Sequence, residues 1–351
     1  MKRTKKDDLG KQMKRRNKKL KKKPKEKAYE GNTELMLSTG STLLDLAICG
    51  TRKRGGGLPG GILVEAFGPE GSGKTVLLCE LAGAIQRIGG DVMFNDPEAR
   101  LNTQFAKMFD FDINAKNIKE PDTVTEFIAN IREWKPIGNA KINGAMTDSL
   151  AALSTKLEMD DPNGDKMGMR RAKEFSEGLR KICRILKQQN YILACSNQIR
   201  EKADAGGYGE KFTTPGGYAF KFYSSVRLRF YPPKKIKRIV KIAGKEVKKV
   251  FATKVPIEVY KNSCDVPYRT ADIYIQFDYG IDDIRANIQY LKDYTSAKGY
   301  ELNGQSLGAS MDKAIAYIEE NELENELKET VIDLWEEIQE KLTVPRKKKL
   351  R

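Results

Sequence analysis

The sequence contains no histidine, and its five cysteines include no C-x-x-C pair. A zinc site, histidine-based catalysis and a disulfide framework are therefore not expected, because each depends on His or Cys side chains at suitable spacing. We interpret the cysteines as ordinary reduced thiols. The chain also lacks a run of ~18 apolar residues and a signal peptide, so we expect an intracellular, cytoplasmic protein with no membrane partner.

Acidic residues are fewer than basic ones. The chain has 48 Asp and Glu against 64 Lys and Arg, which gives a formal net charge of +16. Most of the excess lies in residues 1–27, where fifteen basic residues stand against three acidic ones. Residues 301–342 have the opposite sign, with twelve acidic and three basic residues. The basic surplus favours a polyanionic partner, for which DNA, RNA and an anionic membrane surface all qualify, although no apolar run or signal peptide supports the membrane.

A glycine-rich segment at 68–75 fits the pattern G-x-x-x-x-G-K-[ST]. An apolar run precedes it and a helical pattern follows it, which is the strand, loop and helix order of a phosphate-binding loop. Lys74 would reach the β and γ phosphates, and the Thr75 hydroxyl would ligate Mg²⁺. The pattern predicts a site for ATP or GTP. Its predicted nucleotide-binding residues are Gly68, Pro69, Glu70, Gly71, Ser72, Gly73, Lys74 and Thr75.

Residues 38–230 alternate between apolar strand candidates and helical patterns, which predicts an α/β fold with a mainly parallel, twisted sheet flanked by helices. The predicted strands are Ile62–Phe67, Asp91–Phe94, Ile142–Thr147, Tyr191–Ser196 and Val226–Tyr231, and the helical patterns cover 75–87, 102–109, 122–134 and 170–189. A basic strand pair, Ile236–Ile242 and Lys245–Phe251, and two helices within 309–342 follow. Because the strand before Asp148 is poor in Val and Ile, we expect a weak edge there.

Ligands of open α/β sheets bind beyond the carboxyl ends of the strands, and three polar residues follow predicted strands. Asp148 is a candidate to hold the Mg²⁺ shell, and Glu98 is a candidate to polarise an attacking water. Gln198 would hydrogen-bond the γ-phosphate. Taken singly, Glu98 and Gln198 are more often ordinary loop residues, so the prediction depends on their occurring together.

Several motifs stand in the order and spacing of bacterial RecA, and the chain resembles that family over about 38–342. The motifs are Ser38-Thr39-Gly40-Ser41 with Leu44-Asp45, Gly57-Leu58-Pro59-Gly60-Gly61, the loop 68–75, Asp96-Pro97-Glu98-Ala99, Asp148-Ser149-Leu150, Asn197-Gln198-Ile199-Arg200 and Thr213-Thr214-Pro215-Gly216-Gly217. The charge distribution and the resemblance together predict four segments. They are a basic arm at 1–37 as a candidate oligomerisation element, a RecA-like ATPase core at 38–284, a small α+β domain at 285–342 and a basic tail at 343–351.

The resemblance implies a DNA-dependent ATPase that uses ATP and Mg²⁺ and assembles as a homo-oligomeric filament on single-stranded DNA. The filament would pair this strand with a homologous duplex and exchange strands in recombination and repair. Glu98 matches the residue that activates water, Gln198 links the γ-phosphate to a DNA loop, and Phe105 matches the ring that stacks on adenine. Mediator or single-strand-binding proteins are further partners that the resemblance implies.

Two DNA-binding loops are implied near 158–169 and 199–215. Basic side chains near them would contact phosphates, and aromatic ones would stack on bases, so binding would be independent of sequence. We expect these loops to become ordered on DNA. The predicted DNA-binding residues are Met167, Arg170, Arg171, Arg200, Lys202, Tyr208, Lys211, Phe212, Gly216, Gly217, Lys221 and Arg227.

The sequence departs from RecA at two functional places. RecA completes its ATP pocket across the subunit interface with two lysines around one Asn, and Lys261-Asn262-Ser263 keeps only the first. We therefore predict that Lys261 of a neighbouring subunit acts there without a second lysine, and that Glu98, Lys74 and Gln198 are the other catalytic residues. A basic tail replaces an acidic one, so we expect stronger DNA binding. Two other functions stay open. One is a RecA-superfamily DNA motor, such as a helicase or branch-migration protein, and the other is an ATP-gated single-strand binding or annealing protein.

Overall fold

In a computed structural model of the chain, residues 35–114, 116–137, 140–160, 167–201, 212–344 and 346 are described. The predicted basic arm up to residue 34 lies outside the described residues. So do 161–166, which form half of the first predicted DNA-binding loop, 202–211, which form most of the second, and 345 and 347–351 of the predicted basic tail.

Sixteen strands are present in the described part of the chain. They are β1 (Met36–Leu37), β2 (Leu58–Pro59), β3 (Ile62–Gly68), β4 (Val92–Asn95), β5 (Ile118–Lys119), β6 (Asn143–Thr147), β7 (Tyr191–Gln198), β8 (Arg200–Glu201), β9 (Phe212–Thr213), β10 (Val226–Phe230), β11 (Lys234–Ile242), β12 (Lys245–Asn262), β13 (Thr270–Gln276), β14 (Gly280–Ile281), β15 (Tyr300–Leu302) and β16 (Gln305–Gly308).

Ten α-helices accompany these strands over the same described ranges. They are α1 (Thr42–Cys49), α2 (Lys74–Arg87), α3 (Thr103–Lys107), α4 (Val124–Glu133), α5 (Lys156–Asp160), α6 (Met167–Gln189), α7 (Tyr218–Tyr223), α8 (Asp283–Tyr294), α9 (Met311–Glu320) and α10 (Glu324–Leu342). None of the described helices is both long enough and apolar enough to cross a membrane.

The central sheet has the order β14-β13-β12-β10-β3-β7-β6-β4-β5, with β11 paired to β12. The part from β10 to β5 is parallel, and β12 pairs antiparallel with β10, β11 and β13. The predicted α/β fold with a mainly parallel sheet is confirmed. Strand β3, which leads into the glycine-rich loop, lies inside the parallel part between β10 and β7.

Alternating side chains of β3 pack against helices on both faces of the sheet. Val64 belongs to the same buried cluster as Leu77 of α2, and Leu63 belongs to a second cluster with Phe175 of α6. Successive residues of a strand point to opposite faces, so a strand covered on both sides is apolar along most of its length. This explains why Ile62–Gly68 is an almost continuous apolar run.

Strand β6 was expected to form a weak edge, and its predicted position is wrong. It pairs with β4 on one side and with β7 on the other, and all of its residues are buried. Its small residues have a packing reason: a Cβ on Gly144 would collide with Cδ1 of Ile85 on α2. The Asn143 side chain accepts a hydrogen bond from the backbone of Asp91 at 2.8 Å. Strand β6 therefore needs small residues, because α2 approaches it so closely that bulky side chains would collide.

The predicted basic strand pair is confirmed as a hairpin of β11 and β12. Its turn lies at Ala243 and Gly244, which have φ of 49° and 79°. Two positive φ values are typical of the tight turns that match strand twist. β12 continues well past the predicted end at Phe251, because its second half pairs with β10 and β13 inside the sheet.

The last two helices pack on α8, and α10 also packs on α1. The buried Trp335 of α10 lies against Gly50, where a Cβ would come within 2.7 Å of its ring, and the Arg269 guanidinium lies 5.1 Å from the ring centre. Arg54 forms ion pairs with Glu329, Asp333 and Glu336 of α10 at 2.7–2.8 Å. The two predicted C-terminal helices are confirmed, and the domain boundaries stay predictions.

A buried carboxylate near the start of α1 makes stability depend on pH. Asp45 accepts hydrogen bonds from the Ser38 hydroxyl and from the backbone and hydroxyl of Thr39. Burial outweighs these bonds and raises the pKa of Asp45 from 3.8 to about 6. Its contribution to stability is therefore complete below pH 3.8 and is lost as the pH rises through about 6.

We expect Asp45→Asn to remove this contribution, because the amide is isosteric and does not ionise. The free energy of unfolding of the wild type minus that of the variant should fall by about 2 kcal/mol between pH 4.5 and 7. Urea unfolding at the two pH values measures the difference. Equal pH dependence in both proteins would show that Asp45 titrates as it does in the unfolded chain.

Candidate nucleotide-binding site and its surroundings

The predicted phosphate-binding loop connects β3 to α2. Gly71 and Gly73 have φ of 65° and 87°, in the left-handed region that favours glycine, and a Cβ on Gly73 would also collide with Cδ1 of Ile275. The Ser72 hydroxyl donates a hydrogen bond to the carbonyl of Pro69 at 2.7 Å, which braces the turn. The loop thus brings backbone N–H groups to the start of α2, where the helix dipole also favours an anion.

The two polar residues that open α2 lie where a nucleotide and a metal would bind. The Lys74 ammonium donates to the carbonyls of Pro69 at 2.6 Å and Gly68 at 3.1 Å. Thr75 Oγ1 donates to Asp148 Oδ2 at 2.5 Å, and the Ser196 hydroxyl donates to the other oxygen of Asp148. The structure brings Thr75 and Asp148 together as predicted.

Burial alters the titration of both charged groups in this site. It lowers the pKa of Lys74 and raises the pKa of Asp148, in each case because the charged form loses water. A hydroxyl and a carboxylate side by side offer hard oxygen ligands, which suit Mg²⁺. The donor set therefore fits a Mg²⁺–polyphosphate ligand, which would supply the charge that each buried group lacks.

Glu98 is hydrogen-bonded to Ser149, the residue that follows Asp148 in the chain. Glu98 Oε1 accepts a hydrogen bond from Ser149 Oγ at 2.7 Å, and Oε2 pairs with Arg100 at 2.7 Å. The Glu98 side chain is 20% exposed, whereas that of Arg100 is 80% exposed. Glu98 is thus held by Ser149 and remains accessible to water. Sequence reasoning missed the roles of Ser149 and Ser196, although a hydroxyl at the end of a parallel strand is a usable signal.

Gln198 and Phe105 occupy different surroundings. Gln198 ends β7 and stands opposite Gly68 in the parallel register, so it lies next to the phosphate-binding loop as predicted. Phe105 on α3 is partly buried, and its ring meets Phe109 edge-on with centres 5.1 Å apart. The stacking of Phe105 on adenine stays a prediction.

Lys261 contacts a helix end within its own protomer. Its ammonium donates to the carbonyls of Lys221 at 2.8 Å and Phe222 at 3.0 Å, in the last turn of α7. Burial lowers the pKa of Lys261, and the nearby Arg227 lowers it further. A cation at this position suits the negative end of a helix. The predicted role of Lys261 in a neighbouring ATP site stays a prediction.

The predicted DNA-binding residues are only partly described. Arg170 is exposed near the start of α6, where Met167 begins the helix, whereas Arg171 forms an ion pair with Glu158 at 2.8 Å. The Phe212 ring lies 4.2 Å from the guanidinium of Arg229. Outside the described residues lie Lys202, Tyr208 and Lys211, and Arg200 is placed in β8 without a described side chain.

The residues that follow the second predicted DNA-binding loop have a well-defined structure. Gly216 and Gly217 have φ of 87° and 63° and lead into α7. Gly216 is buried, and a Cβ there would press on Phe175 and Phe220 at 3.2–3.3 Å. Lys221 lies 5.3 Å above the ring of Tyr218. The two glycines thus serve the turn and the packing of α7, and their contact with DNA stays a prediction.

Arg227 differs from the prediction that it contacts DNA. It is 3% exposed, its Nε donates to Glu65 Oε2 at 2.5 Å, and its guanidinium lies 4.3 Å from the ring of Phe67. The Arg227 side chain reaches the Glu65 carboxylate because β10 places the two residues opposite each other in the parallel register. A side chain held in this way is not available to a phosphate on the surface.

The fold and this site define a P-loop nucleotide-binding protein with a parallel α/β core. The family model of the RecA N-terminal domain matches residues 12–282. The Protein RecA of Borrelia duttonii (strain Ly) is 34% identical over 306 residues, which cover 85% of this chain and 80% of that protein. The Protein RecA of Delftia acidovorans (strain DSM 14801 / SPH-1) is 31% identical over 324 residues, covering 87% and 85%. The chain belongs to the RecA family and is a recombinase of that family.

Proposed function

We propose that the chain is a DNA-dependent ATPase that assembles, with ATP and Mg²⁺, as a filament on single-stranded DNA and exchanges that strand into a homologous duplex. One observation carries the ATPase part. Two hydrogen bonds, from Thr75 to Asp148 and from Ser149 to Glu98, involve neighbouring residues of the chain and bring the proposed metal ligand Asp148 near a water-accessible carboxylate. This is the pairing that in-line attack on a γ-phosphate requires.

The residues divide the work of hydrolysis among themselves. Thr75 and Asp148 would hold Mg²⁺, which neutralises charge on the phosphates when bound. Lys74 exchanges its contacts with the carbonyls of Gly68 and Pro69 for phosphate oxygens. Because burial lowers the pKa of Lys74, the negative phosphates would stabilise its charged form. Glu98 orients the attacking water and accepts its proton. Gln198, next to Gly68, meets the γ-phosphate.

Two surface features support a filament on DNA. Tyr218 and Phe222 on α7 are 66% and 74% exposed, which is unusual for aromatic side chains and favours association with another protomer. The exposed face of α6 carries Arg170, Lys173 and Arg180, which suit the backbone of a nucleic acid. Single-stranded DNA, a homologous duplex and further copies of this chain are the proposed partners, in the cytoplasm.

ATP hydrolysis with and without single-stranded DNA tests this function, with Lys74→Ala as the inactive control. We expect DNA to stimulate turnover of the wild type, and Lys74→Ala to reduce turnover at least about 10²-fold, because the cation at the phosphates is lost. Electron microscopy of the same samples should show filaments on DNA. Hydrolysis that ignores DNA, with rings or monomers only, would favour a DNA motor or an annealing protein.

A further inference from the structure

A buried polar cluster lies on β3, the strand that leads into the phosphate-binding loop, and on its two neighbouring strands, and the nucleotide site does not use it. It consists of Glu65 on β3, Asn197 on β7 and Arg227 on β10, which are 0%, 0% and 3% exposed. These three strands are neighbours in the sheet. A buried ion pair is weak as a source of stability, because apolar residues of similar volume often serve as well. The cluster is therefore a candidate for a role other than stability.

Asn197 links the cluster to the last residue of the second predicted DNA-binding loop. Glu65 accepts from Arg227 on Oε2 at 2.5 Å and from Asn197 Nδ2 on Oε1 at 2.9 Å. The same Nδ2 donates to the carbonyl of Pro215 at 3.1 Å. Pro215 closes the segment 199–215, so one amide group ties the end of that segment to the strand that carries the phosphate-binding loop.

Asn197 is also next to the residue that would sense the nucleotide. Gln198 follows it in β7 and stands opposite Gly68, the first residue of the glycine-rich loop. The two residues share a peptide bond, so a shift of the Gln198 backbone towards a γ-phosphate would also move Asn197. Asn197 therefore has the nucleotide site on one side and Pro215 on the other.

Two buried polar atoms at and near the end of segment 199–215 make no hydrogen bond to the described residues in this arrangement. Asn197 Oδ1 and Thr214 Oγ1 are buried and have no hydrogen-bond partner among the residues that the structure describes. Buried polar atoms without partners cost free energy. Gly216 and Gly217 follow directly and tolerate a wide range of backbone conformations. This segment thus has both the unsatisfied atoms and the backbone freedom for a second arrangement.

We propose that Asn197 and Glu65 are positioning residues that couple nucleotide binding to the end of segment 199–215. In the observed arrangement, Asn197 holds Pro215 close to Glu65, and Arg227 keeps the Glu65 carboxylate in place. When Gln198 engages a nucleotide, the contact between Asn197 and Pro215 is exchanged, and Asn197 Oδ1 and the Thr214 hydroxyl gain partners. The inference rests on the proposed DNA-dependent ATPase function.

The test compares Asn197→Ala with Cys195→Ala, which truncates an equally buried side chain of β7 outside the cluster. ATP turnover is measured with and without an oligo(dT) strand, and nucleotide affinity is measured by titration with a fluorescent ATP analogue. We expect the stimulation by DNA to fall about fivefold or more in Asn197→Ala and to stay within about twofold in Cys195→Ala. Nucleotide affinity should stay within about twofold in both, which a general loss of structure would not allow.

Thr214→Val is a second variant, and its result does not depend on whether the protein folds without the Asn197 amide. It removes a hydroxyl that has no partner in the observed arrangement, so the free protein should be at least as stable as the wild type to urea. Stimulation by DNA should nevertheless fall, because the hydroxyl is used in the other arrangement. Unchanged stimulation in both Asn197→Ala and Thr214→Val would overturn the inference.

The outcomes separate this inference from the proposed function. If oligo(dT) does not stimulate the wild type, the DNA-dependent ATPase function fails and the coupling fails with it. If the wild type is stimulated and Asn197→Ala is stimulated equally, the function stands and only the coupling is overturned. A parallel loss of nucleotide affinity and stimulation in Asn197→Ala would also overturn it, since that result indicates a structural role.

Discussion

Replacing Glu98 with glutamine should lower the ATP turnover number about 10²–10⁴-fold and leave nucleotide affinity within about twofold. Glutamine has the same shape and its carbonyl oxygen still accepts from the Ser149 hydroxyl, so the local structure is retained. Its neutral amide cannot accept a proton from the attacking water. Steady-state hydrolysis in the presence of single-stranded DNA, together with equilibrium binding of a nucleotide analogue, measures the two effects separately.

Arg100→Ala is the matched control for this substitution. Arg100 contacts the same carboxylate at 2.7 Å, but its side chain is 80% exposed, and an ion pair in water contributes little. We expect turnover of Arg100→Ala to stay within about twofold of the wild type. Near-normal turnover of Glu98→Gln would remove Glu98 from the chemistry. A large loss in Arg100→Ala would assign the arginine a role that its exposure does not suggest.

Arg227→Met should reduce the free energy of unfolding by about 3–5 kcal/mol. The substitution leaves the fully buried Glu65 carboxylate without its cation, although Asn197 still donates to it. Methionine keeps much of the packing against the Phe67 ring, so the loss reports mainly on the unpaired charge. Urea unfolding followed by circular dichroism measures the change.

Two further variants identify the cause of that loss. In the double variant Glu65→Gln/Arg227→Met both charges are absent, and we expect it to recover a large part of the stability. Arg229→Met changes the next arginine of β10, whose guanidinium lies over the rings of Phe212 and Tyr231, and should cost only about 1 kcal/mol. Equal losses in Arg227→Met and the double variant would show that packing, and not the charge, is responsible.

Glu98 and Arg227 lie in different environments. Glu98 lies at the water-accessible edge, where its carboxylate meets the Ser149 hydroxyl. The cluster around Glu65 lies on the strand that leads into the glycine-rich loop and on its two neighbouring strands, and it is closed to water. Activity should therefore respond to Glu98 without a change in stability. Substitution of Arg227 should act first on stability, and through Asn197 on the response to DNA.

Much of the nucleotide site was predictable because it depends on local patterns. A glycine-rich loop between an apolar strand and a helix specifies its own geometry, since positive φ values and a helix start are properties of adjacent residues. Asp148 and Gln198 were predictable because each follows a parallel strand, and such strands end at the same edge of the sheet. The mainly parallel sheet followed from the alternation of strands and helices along the chain, and the hairpin followed from a basic strand pair joined at Ala243 and Gly244.

Other features depended on partners that are distant in the chain. The burial of Arg227 follows from its register opposite Glu65, which is 162 residues away. Lys261 caps α7 because β12 passes the end of that helix, and the internal position of β6 depends on pairing with both β4 and β7. A basic residue looks the same in the sequence whether it faces solvent or a buried carboxylate.

By itself, the sequence determined the class of fold, the phosphate-binding loop and the residues that gather at the carboxyl edge of the sheet. These follow from the order and spacing of residues along one strand, loop or helix. The tertiary structure decided which charges are paired, which lysine is held by a helix end and which amide ties segment 199–215 to β3. These contacts join separate strands, and their energies depend on burial and distance, which only the folded chain defines.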